Sequence, residues 1–90
     1  MNSVGAKHIL VDAEHEAQDL LKKISEGTAF EDLAQKFSRC PSGKNGGDLG
    51  EFGKGRMVPS FEEAAFSLGV DEVSDPVQTQ FGYHLIKRYK

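Results

Sequence analysis

Short runs of apolar residues at the two ends of the chain predict the strands of one sheet. Residues 4–11 form the first run, and both faces are apolar from Ile9 to Val11, which predicts helices on both sides of this strand. Two further strands are predicted at 76–80 and 83–89, joined through Phe81-Gly82. Strands from opposite ends of a small domain are well placed to pair at the centre of its sheet.

Each of the two predicted central strands carries a histidine among apolar residues, His8 in the first and His84 in the last. If these strands pair, the two imidazoles meet in the interior. The rest of the chain then has to enclose this pair and supply a pocket.

Helical periodicity predicts three helices between the terminal strands. The first helix has Asp12 as its predicted N-cap and ends at Gly27. The apolar residues on its expected buried side are Ala13, Ala17, Leu20, Leu21 and Ile24. The second opens with a capping box at Thr28 and is stopped by Pro41; its expected buried face is Phe30, Leu33, Ala34 and Phe37. The third is short and opens with a capping box at Ser60.

Residues 42–55 are rich in glycine and include a short extended stretch at 49–52. They do not fit a phosphate-binding loop, because Gly53-Lys54 is followed by Gly55 and Asp48 stands where that motif needs a glycine. The element order is β-α-α-loop-β-α-β-β. It predicts an α+β domain with a four-stranded, mostly antiparallel sheet and helices packed around it.

Composition narrows the class of protein further. A length of ninety residues predicts one domain, 1–90. The net charge is −3, so the chain has no excess of cationic residues of the kind that nucleic-acid-binding proteins carry. A single cysteine excludes an intramolecular disulfide. No apolar run reaches membrane-spanning length, and the N-terminus lacks the pattern of a signal peptide. We therefore expect a cytoplasmic protein, with monomer as the default state.

The candidate chemical groups leave two questions open. The three histidines and Cys40 match no zinc-binding spacing, so no metal is expected. Cys40 is either a nucleophile with His8 or His84 as its base or a partly buried thiol ahead of a proline. The sequence alone does not choose between these roles.

Three apolar residues stand outside the helical stripes. Leu49 lies in the glycine-rich segment, Met57 precedes Val58-Pro59, and Phe61 stands at the very start of its helix. Together they can line an exposed apolar pocket, although Met and Phe more often fill a core.

Four blocks of the sequence together resemble the parvulins, a family of peptidyl-prolyl cis/trans isomerases. They occur in the family's order and spacing and are Ala6–Leu10, Ser38–Lys44 with Gly46–Gly50, Met57–Glu62, and Gln80–Lys87. The resemblance covers nearly the whole chain and is to the single-domain members. It implies the parvulin fold, which is FKBP-like, with the element order βααα-β-α-ββ.

The resemblance also implies roles for individual residues. Leu49, Met57 and Phe61 would form an apolar cup for the substrate proline ring, and Phe81 would help to close its rim. The implied catalytic group consists of His8, Cys40, Thr79 and His84. Thr79 would lie between the two histidines in their hydrogen-bond network, and Cys40 would face the isomerising bond, where many relatives carry Asp.

An isomerase of this kind would act on X-Pro bonds of peptides and unfolded proteins by stabilising the twisted amide without covalent chemistry or a cofactor. Relatives that prefer a phosphorylated residue before proline carry an Arg and Lys cluster after the first strand. Here that segment, residues 12–16, is short and acidic, so no phosphate requirement is expected.

Two alternatives remain at this point. The fold could hold proline-containing or unfolded segments without turnover, as a chaperone-like binding module. Alternatively, a small basic patch on the paired strands could attach to phospholipid or acidic partners; its members would be Lys7, Lys87, Arg88 and Lys90. For these cations, ordinary solvated charges are the simpler expectation.

Overall fold

The computed structural model describes residues 3–90. Its elements are β1 (Ser3–Val11), α1 (Glu14–Ser25), α2 (Phe30–Phe37), a 3₁₀ helix (Pro41–Asn45), β2 (Asp48–Gly53), α3 (Pro59–Ser67), β3 (Val77–Thr79) and β4 (Gly82–Arg88). The order βααα-β-α-ββ is confirmed, with a 3₁₀ helix where the residue pattern alone indicated loop. Residues 1 and 2, part of the predicted 1–90 domain and of the segment judged for a signal peptide, lie outside the described residues.

The sheet has the strand order β2-β1-β4-β3, and each neighbouring pair is antiparallel. The two strands from the ends of the chain, β1 and β4, therefore pair at its centre, as predicted. His8 stands opposite Ile86, and Leu10 stands opposite His84. Since opposed residues share a face and side chains alternate along a strand, the two histidines lie diagonally on one face.

Helices cover both faces of this sheet, as the apolar β1 predicts. On one face α1 and α2 pack against the sheet in a core of Ile9, Val11, Ala17, Leu20, Phe30, Leu33, Ala34 and Leu85. On the other face α3 packs in a core of Val4, Ala6, Phe52, Phe61, Ala65 and Ile86. The histidines belong to the α3 face, so the pocket must form on that side.

The predicted cap of α1 is wrong. Its N-cap is Ala13, and the Ala13 backbone N–H donates to the Glu16 carboxylate at 3.1 Å. Asp12 instead pairs with Arg39 at 3.1 Å. A contact between distant parts of the chain thus takes the carboxylate that local preference assigned to the helix.

The caps predicted for α2 and α3 are also wrong. Ala29 and Val58 are the N-caps, and neither helix has a side-chain cap. The Ser60 hydroxyl donates instead to the Gln78 carbonyl at 3.3 Å, which ties the start of α3 to β3. That bond uses the serine for tertiary packing, on the side of the sheet that carries the histidines.

Phe37 is not part of the buried face of α2, contrary to prediction, since 48% of it is exposed. The helix ends at this residue, several positions before Pro41, so no further turn follows to cover the ring. Phe37 borders a surface groove together with Val11 and Leu20.

Gly47 holds the glycine-rich segment close to the first histidine. Its φ is +85°, and a Cβ at this position would lie 2.2 Å from the His8 carbonyl oxygen. The His8 backbone N–H donates to the Gly47 carbonyl at 2.9 Å. Only glycine combines this left-handed backbone with so close an approach, and the contact fixes the segment over β1. Among residues 3–90, no helix is both long and apolar enough to cross a bilayer.

Candidate active site

The two histidines form a buried pair. His8 is 5% exposed and His84 is 4% exposed. Their Nδ1 atoms are 3.0 Å apart, and the rings are stacked with an interplanar angle of 17°. This contact brings together the residues that the sequence placed at the centre of the sheet.

A chain of hydrogen bonds extends from both ends of the pair. Thr79 Oγ1 lies 2.7 Å from His84 Nε2, and Ser42 Oγ lies 3.2 Å from His8 Nε2. The Ser42 hydroxyl in turn donates to Cys40 Sγ at 3.3 Å. The prediction that Thr79 lies between the histidines is therefore wrong. Thr79 lies beyond His84, because β3 pairs with the outer edge of β4.

Hydrogen positions in this chain follow from the available donors. The Phe81 N–H donates to Thr79 Oγ1, which leaves the Thr79 hydroxyl hydrogen for His84 Nε2. His84 then carries its proton on Nδ1 and donates to His8 Nδ1, and His8 donates from Nε2 to Ser42. With this direction, every side-chain N–H and O–H group in the row of hydrogen bonds has an acceptor. We therefore assign opposite tautomers to the two histidines, with the proton on Nδ1 in His84 and on Nε2 in His8.

Burial keeps both imidazoles neutral at pH 7. The pKa of His8 is lowered from 6.5 to about 4, first by burial and second by electrostatic repulsion from His84 in its protonated form. Burial also lowers the pKa of His84. A neutral pair can accept and donate at once, which the directional chain requires.

This neutrality predicts that the domain loses stability in mild acid. Below pH 6.5 an unfolded His8 takes up a proton, whereas the folded residue resists until about pH 4, so stability present above pH 6.5 is lost as the pH falls. For His8 the loss between pH 7 and pH 5 is about 2 kcal/mol, or about 10 °C in melting temperature.

Thermal melts at pH 7, 6 and 5 measure this effect. Glu31, whose pKa is lowered from 4.5 chiefly by a hydrogen bond from Lys7, adds little to this decline, because the stability that it contributes is lost mainly below pH 5. The control is His15→Gln, which removes the exposed histidine of α1 and should leave the decline intact. A melting temperature that is constant from pH 7 to pH 5 would contradict the buried neutral pair.

An apolar cavity of about 470 Å³ lies over the histidine pair. Leu49, Met57 and Phe61 converge on it, as the resemblance implies, and Phe81 stands at its rim with 61% of its surface exposed. The remaining lining residues are His8, Leu10, Arg39, Cys40, Pro41, Arg56, Val58 and His84. Its volume falls within the usual range for a small-ligand site.

Phe61 joins the cavity to the core. It is 3% exposed and contacts both imidazoles edge-on, with ring centroids 5.5 Å from His8 and 5.2 Å from His84. It also packs against Phe52 at 6.2 Å. One side of the ring therefore faces the cavity, while the rest supports the buried pair.

Cys40 lines the cavity and is half-buried. Within residues 3–90 its sulfur has a hydrogen bond from Ser42 but none to an imidazole nitrogen. A cysteine nucleophile needs a base in direct contact to remove its proton. The geometry therefore favours a thiol that acts as a polar group of the cavity wall over a thiol that acts as a nucleophile. That role stays a prediction.

The substitution Cys40→Asp is therefore expected to retain the isomerase activity that the resemblance implies, within about tenfold of the wild type, because a carboxylate can also accept the Ser42 hydrogen bond. The measurement is the rate of cis/trans exchange in a prolyl peptide, with circular dichroism as a check of folding. A folded Cys40→Asp protein without activity would indicate a covalent role for the thiol.

The sequence missed three polar residues of this site. Ser42 links His8 to Cys40, and Arg39 and Arg56 line the cavity. A partial signal was present, because Arg39 directly precedes Cys40 and Arg56 directly precedes Met57. Their side-chain directions depend on the fold of the glycine-rich segment, which periodicity does not predict.

The proposed basic patch is largely neutralised. Lys7 and Lys87 both approach the Glu31 carboxylate, at 2.8 Å and 3.8 Å. Lys90 pairs with Glu51 at 3.0 Å. Because three of the four predicted cations face an acidic partner, the expectation of ordinary surface charges fits better than a lipid-binding patch.

Among residues 3–90, no group of three or more His, Cys, Asp or Glu side chains is placed to hold a metal ion. His15 lies on α1, on the opposite side of the sheet from His8 and His84. The groups that line the cavity are apolar side chains, the two neutral imidazoles, one thiol and two guanidinium groups.

Comparison with known proteins agrees with the resemblance. Residues 6–90 match the family described as rotamase, PPIC-type PPIase domain. The foldase protein PrsA of Bacillus subtilis is 50% identical over 86 residues, which are 94% of this chain and 30% of that protein. PrsA of Caldanaerobacter subterraneus is 54% identical over 83 residues, 91% of this chain and 27% of that protein. The chain spans between 25% and 31% of the length of the first curated relatives it matches.

Solved structures share the fold over nearly the whole chain. The solution structure of NmPin, the parvulin of Nitrosopumilus maritimus, has a TM-score of 0.91 and 45% identity, and covers 100% of this chain and 98% of that chain. The crystal structure of PrsA from Bacillus subtilis has a TM-score of 0.95 and 47% identity, over 98% of this chain and 35% of that chain. The chain belongs to the parvulin family of PPIC-type peptidyl-prolyl cis/trans isomerase domains.

Proposed function

We propose that this domain catalyses cis/trans isomerisation of X-Pro bonds in peptides and unfolded protein segments, without needing a phosphate on the residue before proline. The observation that carries the proposal is the apolar cavity whose floor is a neutral histidine pair. A single domain acting as a monomer, and a cytoplasmic location, stay predictions.

The chemistry needed is the rotation of one amide. Twisting the C–N bond costs about 18–20 kcal/mol because resonance is lost. Cis and trans forms of X-Pro are close in energy, so lowering this barrier is sufficient. An enzyme achieves this by binding the twisted amide better than either planar form.

The cavity discriminates between the two forms through polarity. A planar amide has a large dipole that water solvates well, whereas the twisted amide is less dipolar. Leu49, Met57 and Phe61 offer the substrate apolar contact in place of water. Moving the amide into this site therefore costs the planar form more than the twisted one, which reduces the barrier.

The histidine pair sets the polar side of the same site. With both rings neutral and joined to Ser42 and Thr79, the floor presents fixed dipoles without a full charge. Groups already oriented in this way need no rearrangement when the amide twists. The hydrogen bond from Ser42 to Cys40 extends this fixed orientation to the cavity wall, beside the residues expected to bind proline.

A pair of matched peptides tests the proposal, one with Ser-Pro and one with phosphoserine-Pro. The approach to equilibrium after a cis-enriched peptide is diluted into buffer should be faster with the protein for both peptides. Acceleration of the phosphorylated peptide alone would contradict the absence of a phosphate requirement. Binding of both without acceleration would favour the chaperone-like alternative, with which foldase relatives are equally consistent.

A further inference from the structure

Two arginines, Arg39 and Arg56, are the charged side chains that line the cavity, and among residues 3–90 no acidic side chain lines it. Both residues are exposed, so their guanidinium groups stand where the cavity opens to solvent. We propose that they give the domain a preference for Asp or Glu immediately before the proline. This inference rests on the proposed isomerase function and defines its substrate class.

The position of Arg39 relates it to the residue before proline. Its backbone N–H donates to the Leu10 carbonyl at 2.8 Å, which fixes this segment to β1. It directly precedes Cys40, the residue expected to face the isomerising bond. With the proline ring in the apolar cup and Cys40 at the isomerising bond, as the resemblance implies, the preceding residue would leave the cup on the side of Cys40 and pass the Arg39 guanidinium.

Arg56 adds a second cation that has no close competitor. Within residues 3–90 no carboxylate oxygen lies within 4 Å of it. It precedes Met57 and borders both the cavity and a neighbouring depression, which Glu51 also lines. Arg56 is therefore available to an incoming anion.

The existing partner of Arg39 does not remove it from substrate recognition. Asp12 lies 3.1 Å from Arg39, and the two side chains are 62% and 64% exposed. Exposed pairs of this kind are weak, and a guanidinium has enough donors to bind two carboxylates. Asp12 should thus reduce the preference without abolishing it.

The cationic opening is a local feature. The chain as a whole has a net charge of −3, and burial keeps the histidines of the cavity neutral at pH 7. A general attraction of acidic peptides by net charge is therefore excluded. Any preference for an acidic substrate has to arise at the site itself.

The experiment compares kcat/KM for peptides that differ only in Glu or Gln before proline. The Glu peptide should be favoured by about 3–10-fold at low ionic strength, with the ratio approaching one near 1 M salt, where exposed charges are screened. A third peptide, with Glu directly after proline and Gln before it, should be no better than the Gln peptide.

Variants assign the effect to residues. Arg39→Gln and Arg56→Gln should each lower the Glu/Gln ratio, and the double variant should bring it to about one. Asp12→Asn should raise the ratio by freeing Arg39. Lys22→Gln, which removes the same charge from exposed α1, is the matched control and should leave the ratio unchanged.

The outcomes separate the two proposals. If no peptide is isomerised, the proposed function fails, and this inference fails with it. If Glu and Gln peptides are isomerised equally at low salt, or if the control lowers the ratio as much as the arginine variants do, the isomerase stands and the arginine preference is wrong. A preference for Glu after proline would overturn the assigned position.

Discussion

The substitution Met57→Ala is expected to lower kcat/KM for a prolyl peptide by at least about tenfold while the domain stays folded. Met57 is half-buried and lines the cavity, so truncating it removes apolar contact with the substrate. Loss of a side chain of this size from an apolar contact is worth about 1.5–3 kcal/mol, and 1.4 kcal/mol is a factor of ten in rate.

Two further substitutions calibrate this result. Val70→Ala truncates an exposed apolar residue that does not line the cavity, so the activity should be unchanged. Phe61→Ala should lose activity, and its free energy of unfolding should fall by about 3–5 kcal/mol, because Phe61 also fills the core. If folded Met57→Ala protein keeps the activity of the wild type, the cup does not hold the proline ring.

The substitution His8→Ala is expected to destabilise the domain by about 2–5 kcal/mol, since it opens a cavity and leaves buried groups unpaired. His84 Nδ1 and Ser42 would lose their partner, and Phe61 would lose an edge-on contact. For a domain of this size the melting temperature should fall by about 10 °C or more. Differential scanning calorimetry at pH 7 measures the change.

The control for this effect is His15→Ala, which removes an exposed histidine from α1 and should shift the melting temperature little. Thr79→Ala should have an intermediate effect, because it removes one terminal bond of the chain and leaves the histidine pair intact. A melt unchanged by His8→Ala would contradict the structural role of the pair.

The sequence predicted the sheet well because strand patterns report burial directly. β1 and β4 are apolar on both faces near their centres, and only a strand in the middle of a covered sheet buries both faces. The position of the two strands at opposite ends of the chain, with a histidine in each, placed His8 beside His84. The cup of Leu49, Met57 and Phe61 followed from the resemblance to parvulins, since apolar residues in loops are ambiguous by themselves.

Local rules failed where a tertiary contact competed for the same atoms. Asp12 pairs with Arg39 and Ser60 bonds to Gln78, so neither caps its helix. Thr79 bonds to one histidine because only one of them lies next to β3. Ser42 went unnoticed, since its hydroxyl reaches His8 only when Gly47 folds its segment against β1.

The central claim is that an apolar cup above two neutral, mutually bonded imidazoles lowers the barrier to rotation of a prolyl amide. Two-dimensional exchange NMR on a Leu-Pro peptide with a catalytic amount of the protein at pH 7 tests it most directly. We predict cis–trans cross-peaks at mixing times of about a second, whereas the uncatalysed exchange takes tens of seconds or longer. Peptide resonances that shift on binding without any cross-peaks would contradict it.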